Sequence, residues 1–481
     1  MGTDAAETTS TDEAIHLEGH ATHVKRATDR GLPGEMPRRV KVTIIGAGSM
    51  FSSEICNDLL RMPGNQGGTI ALVDIDAERL ELMRRTLEVM VAFHQADRWS
   101  IEASTDRTTL LPGTDYIVNC IEVSGLDCVR FDNDIPARYG VDQCIGDTIG
   151  PGGLFKALRT VPVWLEVLAD AERLCPEAWV LNYTNPMNMM CLASGRTSSM
   201  TVVGLCHSVQ GTSNLLAQRA GVRYRDLVWE CAGINHLAWF TRLEADGEDL
   251  YPALMAKARA DLAGNPSDPD DAGDLVRKDM MLHFGAFITE SSGHLSEYVP
   301  YYRARAQDRE QWSGPEYDGE SGFYAREWPK WREALDVVRE AMLRGEWDLD
   351  WPRSWEYATW IIEAREKDQP YRFHGNVMNG PAPLITNLPA DGCVEVACWV
   401  DRAGIHPTRF GPLPRQMAAI CAADMRCFDL GAQAAIERSR ELATWALLVD
   451  PLTSACCTPS QIQAMADELF EAEAAWLPGF A

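Results

Sequence analysis

Two side chains that together suit a metal ion lie in the middle of the chain. Cys206 ends the apolar run Thr201 to Cys206, and His236 follows about one supersecondary unit downstream. A thiolate and an imidazole facing one cavity can hold a metal ion and leave its other positions open to substrate and water. A buried cysteine and a separately hydrogen-bonded histidine would satisfy the same two residues, so both interpretations stand at this point.

A second chemical feature is the stretch Val40 to Phe51, a β-branched run that leads into Gly46 and Gly48 and then a helical pattern. A backbone that passes close to a pyrophosphate needs residues without Cβ, and the helix behind it offers free N–H groups. The pattern predicts a dinucleotide site, although Phe51 occupies the third-glycine position and an ordinary strand-to-helix turn is the alternative. The predicted cofactor contacts here are Gly46, Gly48, Ser49 and Met50.

An acidic residue follows the next predicted strand, Thr69 to Asp76. Asp74 lies a little beyond the spacing of about 20 residues that is usual for a carboxylate that binds the cofactor ribose. We assign it to that role. The alternative is that Asp74 caps the predicted helix Ala77 to Met90.

These residues need a scaffold, and the apolar runs supply one. Asp115 to Cys120, Ala178 to Asn182 and Thr201 to Cys206 alternate with helical stretches. Such alternation predicts an α/β fold with a Rossmann-type, doubly wound parallel sheet covered by helices on both faces. Ligands bind beyond the carboxyl ends of such strands, so the polar residues that end the three runs should face one crevice.

The chain divides into three predicted parts. Residues 1–38 form a flexible N-terminal extension, 39–210 the dinucleotide-binding domain, and 211–481 a second, mostly helical α+β domain that binds substrate and metal and mediates oligomerisation. Within the second domain we expect helices over Trp328 to Arg344, Trp351 to Glu366 and from Pro414 onward, strands and loops over Leu384 to Val400, and a surface loop over Ala263 to Gly273.

Composition limits the partners. The 481 residues carry a formal net charge of −26, which disfavours nucleic acid and anionic membranes. No stretch approaches the about 18 uninterrupted apolar residues of a membrane span, and the N-terminus lacks the apolar core of a signal peptide. We therefore expect a cytoplasmic protein whose 14 cysteines are mostly buried, reduced thiols.

A second glycine-rich turn, Gly146 to Gly153, precedes a helix predicted from Leu154, and it lacks the Gly-Lys-Ser/Thr of a triphosphate loop. Together with other motifs it resembles glycoside hydrolase family 4, the NAD- and manganese-dependent glycosidases, from about Lys41 to the C-terminal region. This resemblance implies a lactate/malate dehydrogenase-like arrangement of the two domains. The other motifs are Asn182 to Met187, Cys206 to Val209, Ser296 to Pro300, Asn387 to Pro389 and Val394 to Val396.

The resemblance implies a hydrolysis that differs from the usual two-carboxylate scheme. NAD accepts hydride from C3 of the sugar, and the resulting ketone acidifies the proton at C2. A base removes that proton, the metal stabilises the enediolate, and the C1 substituent is eliminated. Water then adds to C1 and the ketone is reduced again.

The same resemblance implies roles for individual residues. Cys206 and His236 hold the metal, and Tyr298 is the base at C2. Because a free tyrosine titrates near about 10, the cation must lower the pKa of Tyr298 for it to act at neutral pH. Asn182 and Asn185 are predicted contacts to sugar hydroxyls or to the metal shell, with loop capping as their alternative.

The remaining assignments are less specific. Asp147 could position substrate, assist protonation of the leaving group, or cap the following helix. Asp279 is a weaker substrate candidate, since charged runs are usually solvated faces. Asn119 and Glu122, at and after a strand end, are predicted to contact the cofactor.

The ligand types and the family resemblance indicate different metals. A thiolate and an imidazole alone favour zinc or iron. The resemblance points to Mn²⁺, with hard oxygens of substrate and water completing the shell. Thiolate ligation also predicts sensitivity to oxidation.

The residue after the metal cysteine points to the substrate. Members that act on 6-phosphosugars have Cys-Asp-Met-Pro or Cys-Asn-Val/Ile-Pro, whereas Cys206-His207-Ser208-Val209 resembles the α-galactosidase type and is near the α-glucosidase and α-glucuronidase types. His207 would act as a general acid, contact a hydroxyl, or only support the site. We predict hydrolysis of an unphosphorylated α-galactoside by a homodimer or homotetramer. The alternatives are an NAD-dependent dehydrogenase of a hydroxy acid or polyol and a non-catalytic NAD or sugar sensor.

Overall fold

The computed structural model describes residues 31–266, 273–313 and 319–480. Its first half contains six parallel strands in the order β3-β2-β1-β4-β5-β6, so the strand order reverses between β1 and β4. This is the doubly wound arrangement that the apolar runs predict, and the predicted fold class is confirmed. The strands are β1 (Val40–Ile45), β2 (Gly68–Val73), β3 (Trp99–Ser104), β4 (Tyr116–Asn119), β5 (Trp179–Asn182) and β6 (Thr201–Gly204).

The sheet continues into the second half of the chain with antiparallel strands. Asn376 on β11 pairs with Gly204 on β6, and β12, β7, β8 and β10 follow in that order. The join places the turn between β7 and β8 near the carboxyl end of β6. These strands are β7 (Leu227–Ile234), β8 (Leu237–Ala245), β9 (Glu248–Asp249), β10 (Phe287–Ile288), β11 (Tyr371–Met378), β12 (Cys393–Asp401) and β13 (Gly404–Pro407).

Helices cover the sheet and build most of the second half. The long α14 packs on α5 and α6, so the C-terminal part of the chain is attached to helices of the parallel sheet. The helices are α1 (Phe51–Arg61), α2 (Ala77–Phe93), α3 (Arg107–Leu110), α4 (Val129–Arg138), α5 (Gly150–Leu174), α6 (Met187–Thr197), α7 (Ser208–Ala220), α8 (Tyr251–Leu262), α9 (Leu275–Phe284), α10 (Ser292–Leu295), α11 (Ala306–Trp312), α12 (Phe323–Leu343), α13 (Tyr357–Lys367), α14 (Arg415–Glu437), α15 (Arg440–Val449), α16 (Pro451–Cys456) and α17 (Pro459–Ala472).

The end of the predicted N-terminal extension differs from expectation. Residues 1–30 lie outside the described residues, but Leu32 and Met36 are buried. The backbone N–H of Leu32 donates to Glu363 at 2.9 Å, and Arg38 forms ion pairs with Glu366 and Asp115. Residues 31–38 are therefore packed against the fold. The domain boundary near residue 210 stays a prediction, because one sheet continues across it.

Several predicted elements have different bounds. Helix α5 begins at Gly150 rather than Leu154, because Pro151 is well suited to the first turn of a helix. Residues 351–356, predicted as helix, precede α13, and Pro352 disfavours helical backbone in the residue before it. The hairpin of β7 and β8 was not predicted, since its strands lack a clear alternation of polar and apolar residues.

The cysteines are as expected, because all 14 are free thiols and all but Cys206 and Cys456 are buried. Among the described residues, no helix combines the length and the apolar character needed to cross a membrane.

Candidate active site

Three side chains with metal-binding atoms converge at the carboxyl end of β6. Cys206 lies in the loop between β6 and α7, His236 in the turn between β7 and β8, and Glu290 just after β10. Their ligand atoms all lie within 4.8 Å of one another. The sheet order explains the meeting, since β7, β8 and β10 belong to the same sheet as β6.

The backbone at two of these ligands is unusual. His236 has φ 63° and Glu290 has φ 72°, the left-handed region that non-glycine residues seldom adopt. Such conformations typically cost about 1 kcal/mol or more and persist where surrounding structure enforces them. Their occurrence at two ligands of one cluster supports a functional reason for both.

The electrostatics of the cluster suit a cation. Burial raises the pKa of the Cys206 thiol, but the charge of His236 and its hydrogen bond outweigh this and lower the pKa to about 7. Burial lowers the pKa of His236, whereas Glu290 and Cys206 raise it to about 10. In the absence of a metal the thiolate and imidazolium therefore stabilise each other, and a divalent cation can replace the imidazolium proton.

Glu290 was missed by sequence reasoning. Its side chain is opposite His236, with Oε2 3.3 Å from Nε2. Burial raises the pKa of Glu290, but His236 and His294 lower it further, and the net pKa lies below its usual value. The available sequence signal was weak: an acidic residue two positions after the apolar pair Phe287 and Ile288, and eight positions before Tyr298.

Tyr298, the predicted base, lies behind the cluster of Cys206, His236 and Glu290. Its hydroxyl is 3.1 Å from Nδ1 of His236, and the side chain is fully buried. Burial raises the pKa of Tyr298 well above 10, and the charges of Asp147 and Glu290 raise it further. The protein alone therefore keeps this phenol protonated, in agreement with the expectation that a cation must lower its pKa.

A cavity of about 410 Å³ opens in front of the cluster. His207 lies on its wall, with its ring stacked against Phe51 and Tyr183 at centroid distances of 5.9 and 6.1 Å. Its Nε2 is 2.8 Å from Glu356, a buried residue just before α13. Burial lowers the pKa of His207, but Glu356 reverses the effect and raises it to about 9. Glu356 had no sequence signal, because 149 residues separate it from His207.

The glycine-rich loop at residues 146–153 holds Asp147 next to Asn185, and Asp147 itself is not among the residues that line the described cavity. Glu297 anchors the loop by accepting hydrogen bonds from the backbone N–H groups of Cys144, Ile145 and Gly146. Asn185, which lines the cavity, donates to Asp147 Oδ2 at 3.1 Å. The motifs at residues 146–153, 182–187 and 296–300 therefore meet at one place.

Asp147 is held as an anion. Burial raises its pKa, but Lys156 and His294, together with hydrogen bonds, lower it below the usual range. Lys156 also pairs with Glu122, with Nζ 2.7 Å from Oε2. An aspartate in this setting can accept hydrogen bonds from a sugar, but it is a poor proton donor.

The first glycine turn has the predicted geometry. Gly46 has φ 82°, and a Cβ there would lie 2.4 Å from the carbonyl oxygen of Cys120, so only glycine fits. Asp74 accepts a hydrogen bond from the N–H of Gly48 at 2.7 Å. The cap of α2 is Asp76, whose side chain accepts from Glu78 and Arg79, so the alternative role for Asp74 is wrong. Ser49 and Met50 lie between the turn and α1, and Met50 is exposed.

Some predicted contacts are turned away from the cavity. Asn119 and Asn182 are buried and bonded to each other, with Nδ2 of Asn119 donating to Oδ1 of Asn182 at 2.7 Å. Asn182 also donates to Thr184, which supports its alternative role in bracing the strand ends. Asp279 accepts from the Tyr302 hydroxyl at 2.8 Å and is absent from the described cavity wall. Neither Asn182 nor Asp279 lines the described cavity, so their roles as substrate contacts stay predictions that this geometry does not support.

The chain is similar to known proteins along nearly its whole length. The chain matches the family model "Family 4 glycosyl hydrolase" over residues 41–222 and the model of its C-terminal domain over 231–453. It is 37% identical to an α-galactosidase of Bacillus subtilis (strain 168) over 450 residues, which cover 92% of this chain and 99% of the relative. An α-galactosidase of Rhizobium meliloti (strain 1021) is 35% identical over 457 residues, with coverage of 92% and 90%.

A solved structure shows the same fold. The 6-phospho-α-glucosidase from gut microorganisms, solved in complex with NAD and Mn²⁺, superimposes with a TM-score of 0.76 at 22% identity and covers 92% of this chain and 100% of its own. The two family models span nearly the whole described fold, and both α-galactosidases align along almost all of it. The chain therefore belongs to family 4 of the glycosyl hydrolases.

Proposed function

We propose that this protein is an NAD- and divalent-metal-dependent glycosidase that hydrolyses an unphosphorylated α-galactoside. One observation carries the proposal: Phe51, the first residue of the helix behind the glycine turn, lines the same cavity as Cys206, His236 and Glu290. A dinucleotide on the turn and a cation on the three ligands would thus face one space of sugar size. This arrangement suits a reaction that needs both a redox step and stabilisation of negative charge.

The donor set fits a divalent metal. Cys206, His236 and Glu290 would hold it and leave positions for sugar oxygens and water. The carboxylate adds a hard oxygen donor, which suits Mn²⁺ better than the thiolate and imidazole alone. When bound, the cation supplies positive charge beside the developing enediolate, and NAD accepts and returns a hydride at C3.

Side chains of the protein transfer the protons of the reaction and orient the sugar. Tyr298 is our proposed base at C2, and its role depends on the cation because burial and nearby carboxylates hold its pKa high. Asp147 and Asn185 orient the sugar through its hydroxyls. His207 carries a proton at neutral pH and faces the cavity, so it is our proposed donor to the leaving oxygen.

Two observations support an unphosphorylated galactoside. Both α-galactosidase relatives align along nearly the whole chain. Arg277, an arginine in the cavity wall, is paired with Asp274 at 2.6 Å, and Glu290 stands on the same wall. A 6-phosphate would have to compete with Asp274 for this arginine. An α-glucoside or an α-glucuronide is our next choice.

The test is a panel of aryl glycosides assayed with NAD⁺ and Mn²⁺ under reducing conditions. The panel contains the α-galactoside, the α-glucoside, the α-glucuronide and the 6-phosphate of the galactoside. We expect the α-galactoside to be cleaved fastest, with loss of activity when NAD⁺ is omitted or the metal is chelated. NADH should not exceed the amount of enzyme, because the hydride returns to the sugar.

Two outcomes of the panel would contradict the proposal. Cleavage of the 6-phosphate alone would show that the substrate class is wrong. Accumulation of NADH in proportion to product would identify a dehydrogenase instead. A cytoplasmic location and a homodimer or homotetramer remain predictions that gel filtration and cell fractionation can check.

A further inference from the structure

Helix α12, from the second half of the chain, lies over the first glycine turn. The Arg339 guanidinium donates to the carbonyl oxygens of Gly48 and Ser49 at 3.0 and 2.5 Å. Arg79 donates to the same Gly48 oxygen at 2.8 Å and forms an ion pair with Asp336 of α12 at 2.6 Å. Two arginines therefore attach α12 to the turn, and both use their guanidinium groups in hydrogen bonds or ion pairs within the protein.

Arg332, which also belongs to α12, differs from Arg339 and Arg79. Arg332 precedes Asp336 by four positions, so both lie on the helix face that is directed at the turn. Its side chain is half-buried, and a Cβ on Gly125 would lie 2.9 Å from its Nη1. Within residues 31–266, 273–313 and 319–480, Arg332 forms no hydrogen bond and no ion pair. Burial and the charge of Arg79 lower the pKa of Arg332 below its usual value, although the charges of Asp336, Asp76 and Glu122 act in the opposite direction.

The position of Arg332 relates it to the cofactor crevice. Gly125 follows β4, and Gly46 to Ser49 follow β1, the two strands between which the strand order reverses. Dinucleotides bind in the crevice at this point, with the pyrophosphate at the N-terminus of the helix after β1. Arg332 therefore lies beside the loop that follows β4, on the same helix whose Arg339 contacts the turn after β1.

We propose that Arg332 binds the pyrophosphate of the dinucleotide, so that α12 completes the cofactor site from the second half of the chain. Arginine matches phosphoryl oxygens with two parallel hydrogen bonds, which an unbonded guanidinium can form without first breaking others. The proposal rests on the cofactor assignment in the proposed function.

A different anion, the 2′-phosphate of NADP, fits less well. Asp74 stands at the end of β2 with its carboxylate bonded to Gly48, where the cofactor ribose is expected. A phosphate on that ribose would lie against the carboxylate. We therefore assign Arg332 to phosphoryl groups that NAD⁺ and ADP-ribose both possess.

The experiment measures binding to the full-length protein by calorimetry, with NAD⁺, ADP-ribose and NADP⁺ as probes. We expect Arg332→Met to weaken NAD⁺ and ADP-ribose by about tenfold or more, the effect of losing a charge-assisted hydrogen bond. Arg332→Lys should recover part of the affinity. Lys330→Met removes one charge from the exposed side of the same helix and should leave both affinities unchanged.

Thermal unfolding separates a ligand role from a structural one. Because Arg332 has no bonded partner in the described parts of the chain, Arg332→Met should leave the Tm of the cofactor-free protein unchanged or raise it. The rise in Tm that NAD⁺ produces should become smaller than in wild type. A structural role would instead lower the Tm without cofactor.

The outcomes distinguish this proposal from the proposed function. If wild type binds NAD⁺ and Arg332→Met binds it equally well, the role of Arg332 is overturned and the cofactor assignment stands. Loss of NADP⁺ binding alone would also overturn it, in favour of a 2′-phosphate contact. If wild type binds neither NAD⁺ nor ADP-ribose, the cofactor assignment itself fails.

Discussion

At the scale of single residues, the site depends on charges that are buried in pairs. Cys206 and His236 stabilise each other's ionised forms, and Glu290 adds a carboxylate to the same cluster. Sulfur, nitrogen and oxygen donors within 4.8 Å of one another form a ligand set that a cation can enter with release of the imidazolium proton. The contribution of Glu290 is the part of this set that no sequence motif indicated.

Replacing Glu290 tests that contribution. We expect Glu290→Gln to weaken Mn²⁺ binding at least about tenfold, since even the loss of groups that only support metal ligands typically costs this much. The measurement is a Mn²⁺ titration followed by the electron paramagnetic resonance signal of the free ion. Glu230→Gln, on an exposed part of the hairpin that carries His236, is the matched control. Equal affinity in Glu290→Gln and wild type would exclude Glu290 from the metal site.

Replacing Tyr298 separates two roles for its hydroxyl. If the hydroxyl is the base at C2, its removal in Tyr298→Phe should lower kcat at least about a hundredfold. This is the lower end of the usual contribution of general acid–base catalysis. Exchange of the C2 proton with deuterated solvent should be lost, while the Kd for Mn²⁺ changes little. A variant that still exchanges the C2 proton but binds Mn²⁺ more weakly would show that Tyr298 only positions His236, which it contacts at 3.1 Å.

At the scale of elements, helix α14 carries a buried aspartate whose carboxylate has no hydrogen-bond partner among the described residues. Asp424 is fully buried, and neither of its carboxylate oxygens has a hydrogen-bond partner among the described residues. Burial raises its pKa well above the usual value, and the charge of Asp450, the N-cap of α16, raises it further. Burial likewise raises the pKa of Asp450, to about 6.

These shifts predict how stability depends on pH. The folded protein holds protons on Asp424 and Asp450 that the unfolded chain releases above about pH 4, so these two groups reduce stability as pH rises. Asp424→Asn removes one of the two effects. We expect a Tm higher than wild type at about pH 8 and a difference that shrinks toward about pH 5, measured by calorimetry in the absence of cofactor. A variant with the lower Tm at about pH 8 would contradict this expectation.

At the scale of the whole molecule, one sheet carries both halves of the site. The parallel strands supply the glycine turn, Cys206 and the loop after β4, whereas the antiparallel continuation supplies His236 and the approach to Glu290. Helix α12 and the segment before α13 return to the parallel half, where Arg339 and Glu356 contact the turn and His207. The candidate site is therefore assembled from distant parts of the chain.

Local patterns were sufficient for the parallel half of the fold. Its strands are short apolar runs buried on both faces, and its first turn requires glycine because the backbone passes against Cys120. The sequence also predicts that Cys206 and His236 face one cavity, and the structure places both on the same cavity wall. These features depend only on residue type and on spacing along the chain, and both can be read from the sequence.

Only the tertiary structure decided which polar residues face the cavity. Asn182 and Asn185 are three positions apart at one strand end, yet Asn182 is bonded inward to Asn119 and Asn185 reaches Asp147. Glu290 lies next to Cys206 and His236 because β10 pairs with β8, and Arg332 lies beside Gly125 because α12 folds back over the parallel half of the sheet. Such placements come from strand pairing and helix packing between residues far apart in the chain. The periodicity of a single helix or strand carries no information about these contacts.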